Sequence, residues 1–253
     1  MRRLAVVVSL VVAALSPAAV LAPGKTLFPR GLPDPRDLRT RIGLGESGRW
    51  WAQVGMAFSL AGGDDGDWVF GLEGGGFFVM RQVGSRFPLE SVDGTVGLFA
   101  EVLRGPWSYQ FRFTHLSAHF ADGAPPGSAQ VPFSRETLSA RAAYRGGAWI
   151  VYGGLHYLAN TVPTLPRFAA QLGGTYQLGT GSVRPLLGVD LGLRGETSWN
   201  PSVTLQAGAA FGAAGPFERE FRCFYQYYRG QDLRGQYADR RLDTHWLFFE
   251  VPL

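Results

Sequence analysis

From Ser182 to Arg194 apolar and polar side chains take turns along the chain. Val183, Leu187, Val189, Leu191 and Leu193 share one parity, and Ser182, Arg184, Gly188, Asp190, Gly192 and Arg194 share the other. In an extended strand the two sets point to opposite faces. One face is then uniformly apolar while the other carries both charge signs, which suits lipid on one side and a polar lumen on the other. A water-soluble sandwich also alternates, so a single segment does not decide the solvent. Recurrence does more. Val54, Met56, Phe58 and Leu60 oppose Gln53, Gly55 and Ser59; Val96, Leu98, Ala100 and Val102 oppose Asp93, Thr95 and Glu101. Phe168–Leu178 and Val203–Phe211 repeat the pattern with Gln171, Thr175, Gln177, Thr204 and Gln206 on the polar side. Beyond residue 22 no stretch approaches the ~20 apolar residues of a spanning helix. A chain of this kind that crosses a bilayer must do so as a closed barrel, because lipid cannot satisfy an open sheet edge.

Twelve segments fit the pattern: 39–45, 49–61, 67–80, 91–104, 107–120, 135–145, 148–158, 168–178, 182–194, 202–212, 218–229 and 241–252. Their connections alternate in length. Short ones (62–66, Arg104-Gly105-Pro106, Arg145-Gly146-Gly147, Gly179-Thr180-Gly181) fall between longer ones (121–134, 159–167, 195–201, 230–240). Short periplasmic turns, longer external loops and an even strand number returning both termini to the periplasm are the expected asymmetry. Trp50, Trp51, Trp68, Trp107, Trp149 and Trp246 lie near strand starts, with Trp199 in a loop, where interfacial aromatic girdles belong. The fold expected is all-β: a single antiparallel transmembrane β-barrel of about twelve strands.

Ahead of the strands, Met1-Arg2-Arg3, an apolar run from Leu4 to Leu15 and Ser16-Pro17-Ala18 form the three parts of a secretory signal. The reading is a signal peptide over 1–22 with cleavage after 18 or 22, a periplasmic N-terminal segment over 23–38, and an outer-membrane barrel over 39–253. The destination is the cell outer membrane of a Gram-negative bacterium. The lone Cys223 excludes an intramolecular disulfide and a cysteine-based zinc site. The net charge of +4 comes without a basic run interleaved with aromatics, so nucleic acid is not a partner.

Several stretches resemble a bacterial outer-membrane barrel family catalogued as a domain of unknown function. They are Phe28-Pro29 with Asp34-Pro35-Arg36, the block from Phe111 to His119 with Asp122, Ser134-Arg135-Glu136, Tyr152-Gly153-Gly154, and Gly230 to Arg241 with Gly235-Gln236-Tyr237. The His-x-Ser-x-His block is the most specific. The resemblance implies an outer-membrane location and no established activity. One departure is the end Val251-Pro252-Leu253, where such barrels close on an aromatic.

The fifth strand breaks its own pattern. Trp107, Tyr109, Phe111 and Phe113 face lipid, and parity carries His115, Ser117 and His119 outward after them. Polar side chains on a lipid face are costly and need a reason. Glu136 shares parity with Leu138 and Ala140, so it too points outward at the same hairpin end. A base, a hydroxyl two residues away and a carboxylate are the parts of an acyl-transfer triad. The arrangement is similar to outer-membrane phospholipase A and the lipid A deacylase, whose His-x-Ser lies on an outward strand face oriented by an Asn or Glu. That resemblance implies Ser117 as nucleophile, His115 as base and Glu136 as orienting acid, with no calcium site carried over. Two other readings stand beside it. The strand end already lies among headgroups, where His, Ser and Glu cost little, or a bulge near Thr114 turns His115 and Ser117 inward with Leu116, Ala118 and Phe120 outward.

No cofactor or metal is expected. Four residues of strand separate His115 and His119 by ~13 Å, too far for one ion, and the Gly43–Gly48 stretch matches a dinucleotide fingerprint only in letters, with no helix to follow. His156, inward, and His245, near the external rim, read as satisfied polar residues. Glu73, Asp93, Glu101, Arg112, Arg141, Arg184, Asp190, Arg194, Glu220, Arg222 and Glu250 point inward; mixed signs in a lumen this narrow predict cross-lumen ion pairs and a filled interior. Three functions remain open: a structural or interaction barrel, a lipid acyl hydrolase at Ser117 and His115, and a narrow channel. The expected partners are outer-membrane lipid and the barrel assembly machinery; the oligomeric state is not written in the sequence.

Overall fold

The computed structural model describes residues 22–23, 26–212 and 220–251. Twelve strands run in chain order: β1 (Thr40–Gly45), β2 (Arg49–Gly62), β3 (Trp68–Arg81), β4 (Leu89–Arg104), β5 (Trp107–Phe120), β6 (Ser134–Gly146), β7 (Trp149–Val162), β8 (Phe168–Gln177), β9 (Val183–Arg194), β10 (Ser202–Phe211), β11 (Phe221–Gln231) and β12 (Arg241–Val251). Each pairs antiparallel with the next, and β12 returns to β1 from Trp246↔Gly45 to Val251↔Thr40. The sheet is a closed barrel. All twelve expected strands are present, the largest shift being the end of β7, expected at 158 and found at Val162. The two-residue turns Gly105-Pro106 and Gly147-Ala148 begin on glycines at φ 57° and 62°, a left-handed backbone that other residues adopt only under strain.

The wall inverts the usual order of a water-soluble fold. Leu155 and Phe168, on the outer face, keep 70% and 63% of their surface, while Glu101, Glu90 and Glu250 on the inner face keep none. A continuous apolar outer shell around buried charge is what a hydrocarbon solvent selects. Every charged residue expected inward faces the lumen. Arg112 meets Glu73 at 2.5 Å, Arg184 meets Glu220 at 2.6 Å, and Glu250 sits between Arg39 at 2.9 Å and Arg222 at 3.5 Å.

Two expectations need correction. Trp51 and Trp246 do not belong to an interfacial girdle. Trp246 is buried edge-on against Trp51 at 5.0 Å, among Phe224, Tyr228 and Phe248. The alternation that sends Leu247 and Phe249 outward requires Trp246 inward; position near a strand start does not override parity. Trp68, Trp107 and Trp149 are exposed at the end where the shortest turns lie.

The second correction concerns the segment ahead of β1. Residues 26–39, expected up to 38 as a separate periplasmic stretch, lie inside the barrel as a plug. Leu27 and Phe28 donate their backbone N–H groups to Glu101 at 2.5 and 3.0 Å, and Phe28 and Leu32 pack against Ala143 and Tyr152. Arg141 reaches Asp37 at 3.1 Å and Arg39 reaches Glu250. The reason is charge: the lumenal Glu and Arg side chains cannot all pair across the lumen, and the Arg30, Asp34, Asp37 and Arg39 side chains complete the pairing. The expected signal region, 1–22, lies outside the described residues except for Ala22, which pairs with Ser59.

Candidate active site on the outer wall

β5 holds an unbroken register with both neighbours. It pairs with β4 from Ser91↔Phe120 to Arg104↔Trp107 and with β6 from Trp107↔Tyr144 to Ser117↔Ser134. No bulge interrupts it at Thr114, so His115 and Ser117 stay on the outer face that Phe111 and Phe113 begin. Glu136 is the direct cross-strand partner of His115. Its Oε1 lies 3.7 Å from His115 Nδ1, longer than a hydrogen bond, with both side chains well exposed. The structure therefore pairs His115 with Glu136 across strands and sets Ser117 two residues further along the same face. His119 stands apart, its Nδ1 within 3.2 Å of the Gln130 side-chain amide in the following loop.

Three neighbours give the site its shape. Gly94 is the cross-strand partner of Ser117 on the β4 side, and a Cβ placed there would meet Ser117 Oγ first, at 4.0 Å. The lack of a side chain leaves that flank of the hydroxyl open. Ser134 flanks it on the β6 side. The third neighbour is Asn160, which sequence reading missed. A register shift between Glu136 and Thr137 makes Asn160 the partner of Glu136, skipping Ala159. Strict alternation gives no hint of that shift, so His115, Glu136 and Asn160 form a polar row over three strands that only the fold reveals.

Next along the wall, Phe113 and Leu138 form the next outward cross-strand pair. They open an apolar groove of about 780 Å³, lined also by Phe111, Ala140, Leu155 and Phe168. Small residues beside large aromatics give it depth. It is an apolar trough on the outer wall, one outward pair from His115 and Glu136 and two from Ser117.

A second histidine–carboxylate pair occupies the same face. His245 Nδ1 lies 3.0 Å from Glu46 at the β12–β1 seam, near the same end of the barrel. The inward His156 is held by Ser139 at 2.8 Å, as expected of a satisfied polar residue. No group of three or more metal-binding side chains occurs among the described residues.

Solved structures share this architecture. Outer membrane phospholipase A from Escherichia coli superposes with a TM-score of 0.60 at 16% identity, covering 87% of this chain and 93% of that one. An active-site mutant of the same enzyme gives 0.62 at 17% identity, over 90% and 94%. The Salmonella typhi outer membrane phospholipase, solved as a dimer with bound calcium, gives 0.60 at 16% identity, over 90% and 94%. At such identities the likeness is one of fold: an outer-membrane-type twelve-stranded barrel. Among curated proteins no sequence relative matches. Residues 58–248 match the family described as protein of unknown function (DUF1207), about three quarters of the chain, and the protein belongs to that family.

Proposed function

We propose that this barrel is an outer-membrane acyl hydrolase acting on membrane lipid, with Ser117 as nucleophile, His115 as general base and Glu136 as the group that orients the imidazole. The observation that carries the reading is the cross-strand apposition of Glu136 and His115 on the lipid-facing wall, two residues from Ser117 and next to an apolar groove. Two residues of strand span about 7 Å, which an imidazole and a hydroxyl on one face can bridge.

The chemistry follows from the positions. Glu136 faces Nδ1, leaving Nε2 to take the Ser117 proton as Oγ adds to the ester carbonyl; the same nitrogen returns the proton to the departing alcohol. A lipid lying along the wall would place its acyl chain in the Phe113–Leu138 trough and its ester beside Ser117, with Gly94 providing clearance. Orienting hydrogen bonds at such sites are often long without substrate and tighten when it binds, consistent with the 3.7 Å gap. His245 and Glu46 match the pair, but the residues two away from His245 on that face are Asp243 and Leu247, so Ser117 distinguishes the proposed site. Secretion through the N-terminal signal and residence in a Gram-negative outer membrane belong to the same reading.

The test is hydrolysis of phospholipid and of lipid A by the purified, detergent-folded protein. Ser117→Ala should reduce turnover to background, and Glu136→Gln should reduce kcat by ~10²–10⁴-fold, the range for a mispositioned base. Wild type no faster than Ser117→Ala on both substrates would end the hydrolase reading and leave the structural or interaction role.

A further inference from the structure

Inside the barrel, above the plug, lies a chamber of about 150 Å³. Its floor is Asp34, Pro35 and Arg36 of the plug, and its walls include Arg135, Arg194, Glu196, Ser202 and Tyr228. At the same end of the barrel the 232–240 connection folds inward: Gly235 donates its N–H to Asp93 at 2.7 Å, and the Gln236 amide donates to the Ala118 and Val131 carbonyls at 2.6 and 2.8 Å.

The charges of this chamber do not balance in one corner. Arg112 and Arg141 also line it, but their carboxylates are those of the plug and of Glu73. Asp190 is occupied by the Tyr152 hydroxyl at 2.5 Å and the Gln171 amide at 2.8 Å. That leaves Arg36, Arg135 and Arg194 around the buried carboxylate of Glu196, with Asp93, which accepts from Gly235, as the other nearby acid. Arg135 grips it at 2.7 Å and Arg194 lies 3.8 Å away. Arg36 has no ion-pair partner within 4.0 Å among the described residues; its guanidinium donates to the Asp232 carbonyl at 3.3 Å. The Nε groups of Arg36 and Arg135 are buried without a hydrogen-bond acceptor. Burial, then the neighbouring Arg194 and Arg135, pull the Arg36 guanidinium down from its usual value to about 9. Gathering three guanidiniums around two carboxylates out of water is costly unless a further anion completes the set.

We infer that this corner is a binding site for a small free oxyanion of phosphate size, gripped by Arg36, Arg135 and Arg194. Guanidinium forks match the paired oxygens of a phosphate. The volume corresponds to about five water molecules at ~30 Å³ each, enough for such an ion and too small for an acyl chain. The site faces the lumen and is independent of the hydrolase proposed on the outer wall.

Calorimetric titration of the detergent-folded full-length protein with inorganic phosphate tests this, against chloride at matched ionic strength. Wild type should bind one phosphate, and Arg36→Gln should weaken binding at least tenfold. Arg194→Gln, the second variant, should weaken it too, while Arg240→Gln on the exposed rim and Ser117→Ala on the outer face should bind as wild type. Without phosphate, Arg36→Gln should unfold at the same or a higher temperature than wild type, because it relieves like-charge crowding. Phosphate binding no tighter than chloride in wild type, or unchanged in both lumenal variants, overturns the site. A lower unfolding temperature for phosphate-free Arg36→Gln would also count against it, making Arg36 a structural donor.

Discussion

At the scale of single residues, three side chains test different parts of the structure. Gly94→Leu places a branched chain against Ser117 Oγ from the lipid side. Under the hydrolase proposal it should abolish lipid turnover while leaving heat-modifiable migration on gels intact, since Gly94 lies on the outer face and its neighbours need not move. Glu250→Gln strips the paired carboxylate from Arg39, while Arg222 keeps Glu220; an orphaned buried charge at Arg39 should cost about 3–5 kcal/mol, read by denaturant unfolding in detergent. Asp37 should report on acid. Burial alone would raise its carboxyl, but Arg141 and Arg112, with Arg30 and Arg39, hold it well below the usual carboxylate range. A depressed value contributes stability above the unfolded reference of about 3.9 and loses it as pH falls through the folded one. Pepsin should therefore cut the plug near Leu27 and Phe28 only in strong acid, and Asp37→Asn should bring cleavage to higher pH. Parity made much of this legible beforehand. His115, Ser117 and Glu136 point where alternation put them, and so do Glu250 and Arg222. Trp246 shows the limit of arguing from anything else: it is the sixth of the eleven residues of β12, and its parity turns it inward, away from any interface.

At the scale of elements, the strands were legible and the plug and the β6–β7 bulge were not. A strand announces itself by period, whereas 26–39 has none, being held by long-range pairs such as Arg39–Glu250 and by Glu101 accepting two backbone N–H groups. Nothing local in Asp34-Pro35-Arg36-Asp37 says which distant carboxylates and guanidiniums it will meet. Asn160 escaped for a related reason, since one inserted residue changes every facing after it. The plug also bears on the channel alternative. Full-length protein should be electrically silent in planar bilayers, and a variant lacking 26–38 should show discrete conductance steps if the barrel still assembles, judged by heat-modifiable migration. Steady conductance from the full-length barrel would revive the narrow-channel reading.

For the molecule as a whole, the claim to test is the solvent. Leu155 stands midway along β7 with most of its surface uncovered. In hydrocarbon, Leu155→Arg should cost about 2–4 kcal/mol in lipid-vesicle folding titrations. On a wall facing water the same change would fall within roughly 0.5 kcal/mol of zero.

The Arg39–Glu250 pair ties the first residues of the folded chain to its final strand, and it lies within the ring that β12 and β1 complete. One ion pair therefore serves two joints at once, so a change at Glu250 should loosen the plug and the closing strand together.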